Sequence, residues 1–385
     1  MKEGWEIKKL GNISDIKTGK SNAEDADTNG EYTFFDRSKK IKKSNRFLFD
    51  CETLIIPGEG SQFFPRYFSG KFDLHQRVYS ISNFHDSANI RFIEYFLVFN
   101  HKHFENVAVG ATVKSLRLRH FTEIEIPLPP LPEQQRIVSI LDKCFSAIER
   151  SRNNAEQNLK NAKELFESYL QGVFEKKGDG WEEKTLGEVC DFSNGKAHEK
   201  IIDGDGKYIL INSKFVSSEG QKFKRTTSML SPLYKGDIVF VMSDVPNGKT
   251  LAKCFLVDKD DTYSLNQRIC VIRSNNYDKR FLYYHLNRHR YLLSFNNGEN
   301  QTNLRKNDIL NTPLFLMPNE EQQTIVRQLD AIKIETQKME AIYQKKIADL
   351  EELKKSVLQK AFAGELKVSE LGSVGLKDDK IKMNT

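Results

Sequence analysis

Along two long stretches of this chain, apolar residues recur every three or four positions. Elsewhere they gather in short runs. The first stretch steps by four and three through Ile137, Leu141, Cys144, Ile148, Ser151, Ala155, Asn158, Ala162, Leu165, Tyr169 and Gly172. The second repeats it 188 residues later through Ile325, Leu329, Ile332, Thr336, Met339, Tyr343, Lys346, Leu350, Leu353, Val357 and Lys360. Seams this long predict coiled-coil packing rather than isolated surface helices. Ser151, Asn158, Thr336 and Lys346 make each seam polar near its middle, which weakens packing there and helps fix register. Gly178 and Gly180 stop the first helix and Gly364 the second. Residues 133–174 span 42 positions, roughly 63 Å of helix at about 1.5 Å per residue. The runs "TLIIP" (53–57), "DIVFVM" (237–242) and "RICVIR" (268–273) read as strands. Helical patterns at 87–104 and 277–295 follow. The globular parts are therefore α/β or α+β.

The chain is an internal repeat. "WEIKKLGNISDIKTGK" (5–20) matches "WEEKTLGEVCDFSNGK" (181–196) at eight of sixteen positions, including Trp5/Trp181, Gly19/Gly195 and Lys20/Lys196. Gly30 and Gly206 keep the offset of 176, whereas "DLHQRVYSI" (73–81) meets "SLNQRICVI" (264–272) at 191. The second copy therefore carries an insertion. Glu133-Gln134-Gln135 pairs with Glu321-Gln322-Gln323 at 188. A period this long excludes a solenoid and defines two copies of one unit. The layout is a globular domain over 1–131, a helix over 132–177, a second globular domain over 178–318 and a second helix over 319–366. A polar tail follows over 367–385. In a pseudo-two-fold repeat the helices are expected to lie antiparallel between the two globular domains.

Apolar residues are 38% and charged residues 29% of the 385, as in soluble globular proteins. No window resembles a membrane span or signal core, which predicts a cytoplasmic protein. The five scattered cysteines never form CxxC and read as free thiols of a reducing compartment. A net charge of +6 is compatible with a nucleic-acid partner without requiring one.

Each helix is entered through a related junction, "PLPPLPEQQRIVSILD" (127–142) and "TPLFLMPNEEQQTIVRQLD" (312–330). Pro127, Pro129, Pro130 and Pro132 stiffen the first exit, Pro132 suits the first helical turn, and Glu133 complements its dipole. With the "W…LG" opening of each domain, this pattern resembles the specificity subunit of type I restriction–modification systems over essentially the whole chain. The second junction departs by replacing the proline ladder with Met317-Pro318-Asn319-Glu320. The resemblance implies two target recognition domains, each reading half of a bipartite, non-palindromic sequence in double-stranded DNA. It implies helices that set the gap and dock two modification (methyltransferase) subunits, joined by restriction (translocase-endonuclease) subunits. It implies no catalysis and no cofactor in this chain. S-adenosylmethionine, Mg and ATP would belong to the partners.

Enzyme signatures do not hold up. "PNGKT" (246–250) has Ser243 where a phosphate loop needs glycine and reads as a polar hairpin. No S-adenosylmethionine loop or nuclease motif is present. His285 and His289 have metal-ligand spacing, but no carboxylate lies near them in "HLNRHR", so a solvated or phosphate-facing helix is expected. No metal site is predicted.

Candidate DNA contacts fall in polar loops. "RSKKIKKSNR" (37–46), flanked by Phe34, Phe35 and Phe47, offers Arg37, Lys39, Lys40, Lys42 and Lys43. A solvated loop is the competing reading. Gln62, Arg66 and Lys71 in the first domain, and Asn247, Lys249 and Thr250 in the second, sit where base readers can project. Lys114, Arg117, Arg119, Gln301, Asn303 and Arg305 precede the two junctions and suit phosphates better than bases. Lys196 joins them. Trp5/Trp181, Gln76/Gln267 and Arg77/Arg268, shared by domains expected to read different sequences, are assigned to holding the fold or positioning phosphates. The alternative is a coiled-coil structural or adaptor protein with two protein-binding domains and no sequence-specific DNA role.

Overall fold

The computed structural model describes residues 3–175, 178–244, 250–296, 298 and 301–366. The chain forms two compact units whose boundary falls inside both long helices. The first unit comprises the chain up to Asn158 and from Tyr343 onward, and the second is Leu159–Ile342.

The first unit is built on a six-stranded sheet ordered Asp15–Thr18, Val78–Ser82, Phe49–Pro57, Arg66–Leu74, Tyr32–Phe35, Lys42–Ser44. Neighbours are antiparallel except Tyr32–Phe35 and Arg66–Leu74, which run parallel. Phe34 and Phe35 point into the core rather than toward a ligand, because Tyr32–Phe35 is an interior strand. Helix Ile90–Phe99 packs its Phe92, Ile93, Phe96 and Leu97 into the core, and Asn89 caps it by accepting from the Arg91 and Phe92 N–H groups.

The second unit keeps this order but splits the sheet. One part runs Asp191–Asn194, Ile269–Arg273, Ile238–Val241, Cys254–Leu256, and the other Lys224–Thr226, Tyr208–Ile211, Tyr263–Leu265. The counterpart of Arg66–Leu74 is interrupted between Leu256 and Tyr263, and helix Ser213–Ser217 is added. These extra residues account for part of the growth in repeat offset. The pattern at 277–295 does not form one helix. Lys279–Leu286 ends where the Asn287 side chain accepts from the Cys254 N–H at 2.9 Å and Arg288, at φ 61°, donates its N–H to Ala252 O.

The repeated junction is a hydrogen-bonded clamp. Glu6–Lys9 pairs with Glu125–Leu128, the strand that leads into the first long helix, and Glu182–Thr185 pairs likewise with Pro313–Leu316. The first long helix is Leu131–Glu175 and the second Asn319–Ala363. In the first turn of one, buried Gln134 accepts from the Asn89 N–H (2.8 Å) and donates to Ser87 O and Pro129 O (2.7 Å each). In the other, buried Gln322 accepts from the Asp278 N–H (2.7 Å) and donates to Asn276 O and Met317 O. Two turns on, Asp142 accepts from Tyr95 and Arg91, and Asp330 accepts from Tyr284 and Arg280 at 2.6 Å each. Gln and Asp thus fix each long helix to the short helix of its own globular part.

Within the first unit the beginning of the first long helix runs antiparallel to the end of the second. Arg136 donates to Leu366 O (3.2 Å) and Arg152 pairs with Glu351 (2.8 Å). Ile137, Leu141, Cys144 and Ile148 share one core with Leu350, Val357, Leu358 and Ala361, and Leu353 packs against it. Ala155 is buried and Tyr343 half-buried. In the second unit Ile325, Val326 and Leu329 join Leu170 and Trp181, with Phe166 and Tyr169 packed alongside. Ala162 is buried there, and Ile332 and Met339 are half-buried.

The strict four-three seam fails at Leu165, which is 45% exposed while Leu170 is 6% exposed. Asn158, Lys346 and Lys360 are also exposed. A straight helix drifts about 20° per heptad from a 3.5-residue repeat, so the buried line moves to Phe166 and Leu170, toward the core of the second globular part. Gly364, at φ 77°, ends the second helix with Glu365 N donating to Lys360 O. Among the described residues no helix is long and apolar enough to cross a membrane.

Replacing Gln322 with Ala strands a buried N–H and carbonyls. The expected loss is about 2 kcal/mol or more, read from the urea unfolding midpoint. Gln323→Ala next door, on an exposed position, is expected to cost under about 0.5 kcal/mol. Equal losses would contradict the clamp.

Candidate nucleic-acid interface

In the first unit the loop leaving central strand Phe49–Pro57 is held between two other segments. Gly60 donates its N–H to Lys114 O (3.0 Å), and Leu116 donates to Gly58 O (2.7 Å). On the other side Arg66 donates to Ser38 O (2.7 Å) and Arg37 pairs with Glu59 (2.7 Å). The result is a recess of about 390 Å³ lined by Arg37, Lys39, Glu59, Gln62, Phe64 and Arg66. Burial pushes the Glu59 carboxyl up, but its hydrogen bonds and ion pairs with Arg37 and Arg77 bring it below the usual carboxylate range. It is therefore a fixed anionic acceptor among cationic and amide donors, a set able to address base edges as well as phosphates. Glu59 was not among the residues that the sequence singled out, since its partners Arg37 and Arg77 are distant from it along the chain.

The remaining candidates of this unit are scattered. Lys42 pairs with Asp36 (2.7 Å), and Lys114 turns back to Glu105 O (2.7 Å). Lys71 sits over the ring of exposed Phe47, 4.8 Å from its centroid. Lys40 and Lys43 are exposed. Arg46 is tied to Asp25 and Asp73. The run at 37–46 is thus partly neutralised from within. Arg117 and Arg119 are exposed at the start of helix Leu118–Thr122.

The second unit brings the corresponding segments together through strands. Ser243–Asp244 pairs antiparallel with Thr302–Asn303, and Leu304 donates its N–H to Met242 O (2.8 Å). Buried Asp244 accepts from the Thr250 N–H at 2.5 Å, which brings Thr250 to the same strand pair. Gln301 donates to the Asn303 side chain (3.3 Å), and Arg305 is exposed just before helix Lys306–Leu310. Asn247 and Lys249 lie outside the described residues. Lys196 lies on the loop bridged to Asn266, beside Gly195, whose N–H donates to Ile269 O (3.0 Å).

His285 is buried and His289 half-buried, contrary to the solvated or phosphate-facing helix expected for "HLNRHR". His285 is 3% exposed and stacks on Phe174 at 4.2 Å between centroids. Nδ1 of each ring lacks a hydrogen-bond partner. Apolar positions around His285 on helix Lys279–Leu286 turn it inward against the first long helix, and His289 lies beyond the helix end. Among the described residues no group of three or more His, Cys, Asp or Glu side chains could hold a metal.

The chain matches the type I restriction modification DNA specificity domain family over residues 2–157 and 178–349. It therefore belongs to the family of type I restriction–modification specificity subunits. Among curated relatives it is 23% identical to the type I restriction enzyme EcoDI specificity subunit of Escherichia coli, covering 94% of this chain and 88% of that one. It is 24% identical to the MjaVIII specificity subunit of Methanocaldococcus jannaschii, with 96% and 94% covered. The fold is similar to a chain solved in work on complex assembly and conformational transition of a type I R-M system. That match has TM-score 0.76, 17% identity, and 95% and 99% of the two chains covered. It is also similar to the HsdS subunit from Thermoanaerobacter tengcongensis, with TM-score 0.55, 18% identity, and 95% and 98% covered.

Buried His285 and half-buried His289 generate a pH dependence. Burial pushes His285 well below the ordinary value, and lowers His289 to about 4. In the unfolded chain both titrate near 6.5. Between roughly pH 6.5 and 4 the unfolded state binds more protons, so stability is full above that window and declines as pH falls through it. Thermal melts of His285→Phe are expected to lose less Tm than wild type on acidification. Identical slopes would refute the assignment.

Proposed function

We propose that the two globular parts are target recognition domains, each reading one half of a bipartite, non-palindromic sequence in double-stranded DNA. The observation that carries this reading is the retention of one scaffold with different loops at the same place. The clamp, the strand order and the meeting of two late segments at the central strand recur. The side chains offered there differ, with Arg37, Gln62 and Arg66 around Glu59 in one and Thr250, Gln301 and Asn303 in the other. A constant frame with variable donors and acceptors suits two different half-sites.

The long helices fix the gap between half-sites and dock two modification subunits, with restriction subunits completing the complex. The chain itself performs no catalysis. S-adenosylmethionine, Mg and ATP are used by its partners. The complex works in the cytoplasm.

Methylation-aware sequencing of DNA from cells expressing the chain with its modification subunits tests this. Two short, unlike half-sites at a fixed gap are expected. Gln62→Ala and Arg66→Ala are expected to relax base preference in one half-site and leave the other unchanged. A single contiguous or palindromic motif, or changes in both halves, would refute the two-reader arrangement. Affinity for duplex DNA that does not fall with salt would favour a protein-binding adaptor.

A further inference from the structure

Repeat-matched residues divide by their surroundings. Trp5 and Trp181 are buried. Gly19 and Gly195 are required by close approach, since a Cβ would lie 1.7 Å from Leu74 O in one and 2.2 Å from Asn266 O in the other. Glu6 with Lys8 and Glu182 with Lys184 pair along their own strands. Packing does not explain three exposed cations that occur at matched places in both units. These are Lys20, Arg77 and Arg117 in the first, and Lys196, Arg268 and Arg305 in the second.

In each unit the three cations surround the exit of the central strand. Gly19, beside Lys20, donates to Val78 O (3.4 Å), and Gly195, beside Lys196, donates to Ile269 O (3.0 Å). Val78 and Ile269 are the residues that follow Arg77 and Arg268, and they pair with Pro57 and Val241 at the strand ends. Leu116 donates to Gly58 O and Leu304 to Met242 O, which brings Arg117 and Arg305 to the next residue of the chain. Among the described residues Lys20, Lys196, Arg117, Arg268 and Arg305 have no side-chain ion pair, and Arg77 pairs with Glu59.

The buried chemistry holding these loops is not the same in the two units. In the first, Ser21 and Ser44 donate to buried Asp73 (2.6 and 3.1 Å). In the second, His198 meets Ser264 at 2.7 Å. The anchors have changed while the exposed cations have not, so the cations answer to something both units meet alike. Resting on the DNA reading above, we propose that each trio is a phosphate clamp. It grips the sugar-phosphate backbone beside the reader loop and is indifferent to base sequence. Phosphate is the part of DNA that two different half-sites share.

The test uses the full chain assembled with its modification subunits, on target and random-sequence duplexes across a salt series. Lys20→Ala, Lys196→Ala, Arg268→Ala and Arg305→Ala are each expected to weaken both duplexes several-fold and equally. Each is expected to lower the salt slope by about one. The methylated motif stays unchanged, and Lys196→Arg restores wild-type binding. A variant with wild-type affinity and slope overturns the clamp. So does one whose methylated motif changes at a base position, which would make that residue a reader. Wild-type complexes that bind no duplex at any salt overturn the DNA reading itself, and the clamp with it.

Discussion

In each unit one buried glutamine at the start of a long helix fixes that helix to its globular part. Gln134 and Gln322 each satisfy the backbone N–H of a short helix's N-cap and two carbonyls, one two residues before that cap and one just past the entering strand. A buried amide with three partners is expensive to misplace, since each stranded group costs roughly 1–3 kcal/mol. The angle between globular part and helix is therefore set by hydrogen-bond geometry rather than by hydrophobic contact alone. Asp142 and Asp330 add a second point of attachment through Tyr and Arg, and two points fix a rotation.

That attachment separates what must stay constant from what can vary. Loops at the exit of the central strand can change side chains without disturbing the clamp, because they lean on neighbouring backbone through bonds such as Leu116 N to Gly58 O and Leu304 N to Met242 O. Even the strand Arg66–Leu74 could be broken into Cys254–Leu256 and Tyr263–Leu265 without changing the order of its neighbours.

The repeat, the strands "TLIIP", "DIVFVM" and "RICVIR", and both long helices were legible because periodicity and self-similarity are properties of sequence. The clamp was visible as a repeated triplet, but its role was not, since nothing in "EQQ" says which glutamine turns inward. The seam was misread at Leu165 because a heptad template assumes a partner helix throughout, and beyond Ala162 the buried face meets a globular core. His285 was misread because charged neighbours in "HLNRHR" mask an inward position. Phe34 and Phe35 were noted only as aromatics beside the basic run, and strand order places them inside. Glu59 needed three dimensions, since Arg37 and Arg77 are remote from it in sequence.

The unit boundary inside the helices bears on how the chain is made. Part of the first unit's core comes from Leu350, Val357, Leu358 and Ala361, with Phe362 set among Phe92, Phe96 and Phe99. Between Asn158 and Tyr343 lie 184 residues (342 − 158) of the other unit. At about 5–20 residues per second, a ribosome takes roughly ten to forty seconds to cross them. During that interval the aromatic face around Phe92 waits uncovered, while the second unit, continuous in sequence, can close first. Of the two units, the one begun earlier in synthesis is thus the one completed later.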